Sequence, residues 1–255
     1  MAEEREGKNP VQSAERIFQV METLADHGEM GLMELSTALD LHKSTVHRLL
    51  MSLIYMGYAK QDEATQKYML SYKVVNMAGK ILERMAKPYM ERLSDLSGEA
   101  VHLVQREGNH ILYIYKIEAK VGTIRMVSHV GMVHPMYCSG VGKAIMATLP
   151  DEEVKKIWNE SIIEKKTDKT ITDFSQMQEV LDEVRQNGYA LDDEENEKGV
   201  RCIAACLHGY QKEVKYAFSI SGPTSRMTRE RVKELAVDVK KVQEELSREL
   251  GYYKS

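Results

Sequence analysis

Cysteine is scarce in this sequence. Among 255 residues only Cys138, Cys202 and Cys206 occur, an odd number with no Cys-x-x-Cys spacing, which argues against a disulfide framework and against a thiolate zinc site. Long apolar runs are missing as well. No stretch approaches the roughly 18 uninterrupted apolar residues of a bilayer span, and the first residues, Met-Ala-Glu-Glu-Arg-Glu, are charged where a secretion signal turns apolar. These absences predict a soluble, cytoplasmic chain with reduced thiols and no membrane partner. Neither a dinucleotide glycine fingerprint nor a phosphate-loop sequence is present, and no cofactor is expected. With 43% hydrophobic and 29% charged residues the chain is neither disordered nor collagen-like. It can build one large domain or two ordinary ones.

The net charge of −4 is unevenly spread. Residues 1–71 hold seven Lys/Arg against eleven Asp/Glu, while the remainder is balanced. Yet Leu41 to Gln61 contains Lys43, Arg48 and Lys60 and no carboxylate. A basic strip on an acidic module points to a specific anionic contact.

Helical periodicity explains that strip. Ile17, Val20, Met21 and Leu24 predict a first helix over Val11–Asp26, stopped at His27-Gly28. Leu32, Leu35, Ala38 and Leu39 form a short second stripe opened by Gly31, and Asp40 can take the left-handed turn position that follows. A third helix is expected over Lys43–Met56, ended by Gly57. Its inward face is Val46, Leu49, Leu50, Leu53 and Ile54, which leaves Lys43, Ser44, Thr45, His47 and Arg48 at the exposed N-terminal end. A helix entering the major groove of double-stranded DNA presents such first turns to base edges and phosphates, aided by its free N–H groups and positive dipole end. Taken singly, a Ser-Thr pair is more often a helix cap and an outward Arg a solvated charge. Tyr58–Gln61 and Gln66–Leu70, joined by Asp62-Glu63-Ala64-Thr65, then read as a hairpin. Three helices plus this hairpin make a winged helix-turn-helix, in which Lys60 and Lys67 are the wing cations able to reach DNA.

The segment Leu41-His42-Lys43-Ser44-Thr45-Val46-His47-Arg48-Leu49-Leu50 closely resembles the recognition-helix signature of the IclR family of bacterial transcriptional regulators. That family usually has Gly where Asp40 stands and Pro where His42 stands. Next, Val74, Met77, Ala78, Ile81, Leu82 and Met85 predict a linking helix over residues 72–88 whose stripe can pack against a twin, broken at Lys87-Pro88. It is several residues shorter than the family usually has between Arg84 and Pro88.

Residues 89–255 mix helices and strands. A helix over Tyr89–Leu96 is expected, then strands Ala100–Gln105, Ile111–Ile117 and Thr123–His129, and a turn at Gly131-Met132. Helices follow over Lys143–Thr148, Glu152–Asn159 and Phe174–Asn187, with strands Tyr189–Asp192, Arg201–His208 and Val214–Ser221. A final helix carries Val232, Leu235, Ala236, Val239, Val242 and Leu246 on one face. The predicted class is α+β, with helices covering an antiparallel sheet.

Three stretches of this region resemble the IclR-type sensor domain, similar in fold to the small-molecule-binding GAF class. They are Pro135 to Ala144, Gly188 to Ala205 around Asp192-Asp193-Glu194-Glu195, and Ser219 to Arg226. Their chemistry suits a small anion: Ser139-Gly140-Val141-Gly142 opens a helix with free N–H groups, and Ser219 and Ser221 share one strand face with Cys202 on a neighbouring strand. The resemblance maps an effector site onto Gly140, Val141, Asp192, Cys202, Ser219 and Ser221, with Met126 as an apolar wall. It implies a ligand-responsive repressor, a homodimer or dimer of dimers, that binds operator DNA and a carboxylic or sugar acid. Glu194 and Glu195 read better as structural or solvated acids.

Two rival classes follow from the same residues. A cysteine-dependent enzyme would use Cys138 or Cys202 with His129, His134 or His208 as base, but no local signature supports it. A metal-responsive regulator would use His129, His134 and Cys138, whose spacing fits no common metal motif.

Overall fold

A computed structural model of the chain describes residues 11–122, 127–210 and 214–253. The chain divides into two compact units between Leu82 and Glu83.

The first unit contains α1 (Gln12–His27), α2 (Leu32–Ala38), α3 (Lys43–Tyr55), β1 (Ala59–Gln61) and β2 (Tyr68–Leu70). Val20, Leu24, Leu35, Val46, Leu49, Leu50 and Leu53 meet in one core that also buries Ala59 and Tyr68 of the hairpin. Each helix ends where the sequence offers a device for ending it. Gly28 (φ 76°) lets the chain leave α1 in a conformation that a side chain resists, and the Gly31 N–H donates to Glu34 Oε2 at 2.7 Å to open α2. The tight turn between α2 and α3 passes through Asp40 at φ 50°, so an acid occupies the left-handed position where glycine is cheapest. In the hairpin, β1 and β2 pair antiparallel with Lys60 opposite Met69. Both strands are shorter than expected: Gln66 takes φ 58° and leaves the ladder, and Asp62 Oδ1 accepts from the Ala64 and Thr65 N–H groups and the Thr65 hydroxyl.

The expected break at Lys87-Pro88 does not occur, and the separate helix over Tyr89–Leu96 does not exist. One helix, α4, runs over Tyr72–Ser97 with Pro88 inside it. Proline removes a single backbone donor and crowds the preceding turn. The second half of α4 offsets that cost by burying Ala86, Met90 and Leu93 fully, a helical spacing that a break would scatter.

The second unit is built on a six-stranded antiparallel sheet of order β5-β4-β3-β8-β7-β6, comprising β3 (Ala100–Glu107), β4 (His110–Ile117), β5 (Val133–Pro135), β6 (Ala190–Asp193), β7 (Val200–His208) and β8 (Val214–Pro223). The helices α5 (Gly140–Met146), α6 (Asp151–Glu160) and α7 (Phe174–Asn187) share a core with Ala190, Ala204, Cys206 and Ala217 of the sheet. The last helix, α8 (Arg229–Glu249), packs against β7. The expected strand Thr123–His129 is not seen. Thr123 to Met126 lie outside the described residues, and Val127 to His129 form no strand. Instead the edge is the three-residue β5, which pairs His134 with Ile111 and ends in a proline that an edge position tolerates.

α5 begins three residues earlier than expected, and this shapes the cavity described below. Ser139 caps it, its Oγ accepting from the Gly142 N–H at 3.1 Å. A Cβ on Gly142 would lie 2.2 Å from the Met136 carbonyl oxygen, and one on Gly140 would meet Ala204 Cβ at 3.3 Å. These glycines are therefore set by close approach of backbones, which lets the whole helix sink against the sheet.

Candidate functional site

The first candidate is the start of α3. Lys43, Ser44, His47 and Arg48 are exposed and Thr45 is half-buried, while Val46, Leu49, Leu50 and Leu53 hold the opposite face in the core. His42 supplies the cap: its Nδ1 accepts from the Ser44 N–H at 3.4 Å and stands 2.8 Å from the Ser44 hydroxyl. No acid lies in the first turn, so nothing there neutralises the positive end of the helix dipole. On β1 Lys60 is exposed, and Lys67 is half-buried before β2. Exposed Met51 and Tyr55 extend the outward side of α3 beyond Arg48. The helical period placed them there, but an apolar residue and a phenol carry no charge signal to single them out.

The second candidate is a cavity of about 350 Å³ in the second unit. Gly140, Val141, Asp192, Cys202, Ser219 and Ser221, all expected at a ligand site, line it together. Met126 falls outside the described residues. Register explains the convergence. Asp192 pairs with Cys202, Cys202 with Ser221, and Ser219 with His102, so one sheet face delivers residues from four strands. Residues that the sequence reading missed complete the wall, chiefly His102, Tyr113, Ser128, Lys166 and Asn196. Alternation along β3 could have suggested His102; the loop residues required the tertiary fold.

The inner end is a neutral hydrogen-bonding cluster. His102 Nδ1 stands 3.4 Å from both the Ser219 and Ser221 hydroxyls, and its Nε2 stands 2.8 Å from that of Ser128. Burial, with help from the Lys116 charge, lowers the His102 pKa to about 3. The ring is thus neutral, with one donor and one acceptor to share among hydroxyls. Asp192 is buried too. Its Oδ1 accepts from the Glu195 N–H at 2.8 Å and the Asn196 N–H at 3.3 Å. Burial first, and the Glu195 carboxylate second, push its pKa up to about 7.

Beside Asp192 lies a fully buried ion pair between Lys143 of α5 and Glu195. Among the described residues the second carboxylate oxygen of Glu195 is buried with no partner. One ammonium therefore faces two buried carboxylates, and its pull on Asp192 does not offset the burial and the Glu195 charge that keep the Asp192 proton toward neutral pH. Glu195 is thus taken up by that buried ion pair, and Glu194 is tied to Lys169 at 2.6 Å.

Cys138 and His134 do meet, with Sγ 3.5 Å from Nε2. Burial lifts the Cys138 thiol to about 11, and burial plus the Lys166 cation lowers His134 to about 4. Both directions disfavour the thiolate–imidazolium pair that a cysteine nucleophile needs. Cys202 is likewise pushed up by burial. The metal alternative finds no support: His129 is exposed beside the Val130 carbonyl, and among the described residues no three His, Cys, Asp or Glu converge on one point. No helix of the described chain is long and apolar enough to cross a membrane.

With this geometry in hand, the comparisons are specific. Residues 13–63 match the IclR helix-turn-helix domain, and residues 74–248 match the bacterial transcriptional regulator IclR C-terminal domain. The HTH-type transcriptional regulator KdgR of Escherichia coli strain K12 is 34% identical over 248 residues, covering 95% of this chain and 94% of that protein. The DNA-binding transcriptional repressor YiaJ of the same strain is 35% identical, covering 99% and 92%. Among solved structures, the Thermotoga maritima IclR aligns with a TM-score of 0.65 at 27% identity, covering 94% of this chain and 99% of that one.

Proposed function

Since the chain belongs to the IclR family of bacterial transcriptional regulators and is accordingly a DNA-binding regulator, not an enzyme, we propose that it is a repressor released by a small acid. Lys43, Ser44, Thr45, His47 and Arg48 read the major groove, with Arg48 placed for a bidentate contact to guanine or phosphate, and Lys60 and Lys67 hold the flanking backbone. The effector is a carboxylic or sugar acid in the cavity of the C-terminal unit. Its hydroxyls are read by His102, Ser219 and Ser221. Its carboxylate lies near Gly140 and Val141, whose amides open α5 and lack intrahelical acceptors. The relatives' names support repression: YiaJ and the Escherichia coli IclR protein are both named transcriptional repressors.

The observation that carries this reading is the cavity itself, in which six residues picked from three separate sequence stretches line one chamber of ligand size. Release follows if the acid binds two arrangements of the reader heads unequally, and operator affinity changes only by that inequality. A homodimer, or a dimer of dimers, presents paired recognition helices to a pseudopalindrome whose half-sites lie roughly one helical turn, or a multiple, apart. The exposed Met77 and Ile81, one turn apart on α4, offer apolar surface that such a partner would cover. The test is operator titration with promoter-region DNA, with and without a series of short organic and sugar acids. Wild-type protein loses affinity in the presence of one of them. The Ser219→Ala/Ser221→Ala variant binds DNA normally and ignores the acid. A double variant that responds at wild-type acid concentrations removes the effector from this cavity.

A further inference from the structure

The effector cavity has a mouth whose charge does not match its interior. Inside, both histidines are neutral, and Lys143 is tied to Glu195. Lys166 is thus the cation left to the chamber among its described lining residues, opposed at the rim by exposed Glu197. Lys166 also lines an adjoining open cleft, of about 360 Å³, with Lys165, Thr167, Asp168 and Lys198.

Two loops form this cleft, and they are fastened to each other. The Thr167 hydroxyl donates to the Glu194 carbonyl at 2.6 Å, the Thr170 hydroxyl to the Glu195 carbonyl at 2.6 Å, and Lys166 Nζ to Asn196 Oδ1 at 3.1 Å. Tyr137 anchors the outer loop through its hydroxyl, which donates to the Glu164 carbonyl and accepts from the Glu164 N–H, both at 3.0 Å. The lysines therefore rise from a fixed frame. Their charges are unevenly committed. Lys169 is held by Asp193 and Glu194, outside the cleft. Lys165 pairs with Asp168 at 3.4 Å, but that carboxylate is fully exposed, a situation in which an ion pair contributes little. Among the described residues Lys166 and Lys198 have no carboxylate partner. Three cations thus face two solvated acids, Asp168 in the cleft and Glu197 at the rim, at the opening of a chamber that already has its own place for a carboxylate.

Building on the assignment of the chamber to an acid effector, we propose that the effector carries a second anionic group, a phosphomonoester or a second carboxylate, seated at the mouth between Lys165, Lys166 and Lys198. The ligand then spans the opening, with its hydroxylated body inside and its outer anion in the cleft. A phosphomonoester is the stronger fit, because its charge near −2 at neutral pH engages more than one lysine at once.

The test compares gluconate, 6-phosphogluconate and glucarate by calorimetry on the full chain at low salt, where exposed charges are least screened. The expected result is 6-phosphogluconate or glucarate binding about tenfold tighter than gluconate, an advantage lost in Lys165→Gln/Lys198→Gln while gluconate binding is unchanged. Which of the two gains identifies the outer anion. Equal affinity for all three, or an advantage that survives in the double variant, overturns the proposal. If none of the three binds, inorganic phosphate decides. Broadening of its ³¹P signal by wild type and by Ser219→Ala/Ser221→Ala, but not by Lys165→Gln/Lys198→Gln, upholds the mouth site even where the chamber assignment has failed. No broadening by wild type, or equal broadening by the lysine variant, sinks it.

Discussion

The start of α3 and the C-terminal cavity treat charge in opposite ways. At the helix start, Lys43 and Arg48 stand in solvent and the first turn contains no acid. In the cavity, His102 and His134 are held neutral and Asp192 keeps its proton toward neutral pH, and the buried Lys143 beside it is paired with Glu195. Under the proposed function the difference follows from the partner each awaits. A polyanion with its own counterions rewards cations that are already solvated, because binding releases salt. A small molecule that must be desolvated rewards a chamber whose polar groups are neutral and fixed beforehand. Mutations should therefore divide. Cavity changes should register in folding stability, and changes at the helix start should register in DNA affinity alone.

The largest effect is expected at Lys143. Replacing it by Ala leaves Glu195 buried without a cation, which should lower the stability of the C-terminal unit by about 3–5 kcal/mol, read by urea unfolding. Lys143→Met combined with Glu195→Leu should recover most of that loss, since an apolar pair of similar volume needs no desolvation of charge. If Lys143→Ala unfolds like wild type, the pair contributes nothing to stability and the contrast with α3 weakens.

A smaller, pH-dependent effect is expected at Asp192. The native state keeps this proton to about pH 7, whereas an unfolded chain releases it near the usual carboxylate pKa of about 4. Between those values the native state binds more protons, so stability falls as pH rises through the interval and levels off above it. Asp192→Asn preserves an oxygen acceptor for the Glu195 and Asn196 N–H groups but cannot ionise. Its stability relative to wild type should accordingly grow between about pH 4 and about pH 7, by about 2–4 kcal/mol. The histidines pull stability the other way with pH in both proteins and cancel in the difference. A difference that stays flat with pH would mean that Asp192 is ionised throughout.

The same contrast governs how much was legible in the sequence. The proposed reading end lies within six consecutive residues, Lys43 to Arg48, on one helix, and a period of 3.6 separates inward from outward positions without tertiary knowledge. Asp40 could be placed in its left-handed turn for the same local reason. The cavity depends on register between strands far apart in sequence, such as Ser219 opposite His102. Chemistry and family resemblance identified its Ser, Asp and Cys residues, but not the His102 cluster or the Lys166 mouth. The missed edge strand β5 and the unbroken α4 have a common cause. Both depend on tertiary packing: β5 is a three-residue edge too short to show alternation, and at Pro88 the burial of Met90 overrides a local proline signal.

The smallest expected effect lies at the helix start, where its pattern is the most informative. Arg48→Ala should weaken operator binding by about 1–3 kcal/mol and relax preference at one base position. Lys60→Ala should instead weaken binding on all sequences alike and reduce the salt slope by about 1. Neither should alter thermal stability by more than about 0.5 kcal/mol, because both side chains are exposed and make no contact that the fold needs. Gel-shift titrations on operator and unrelated DNA at several salt concentrations separate the two behaviours. If Arg48→Ala loses affinity equally on both DNAs, Arg48 grips phosphate and the base reader lies further along α3. Exposed Met51 would then be the first residue to test, because its apolar side chain suits a thymine methyl and its removal would leave the salt slope untouched.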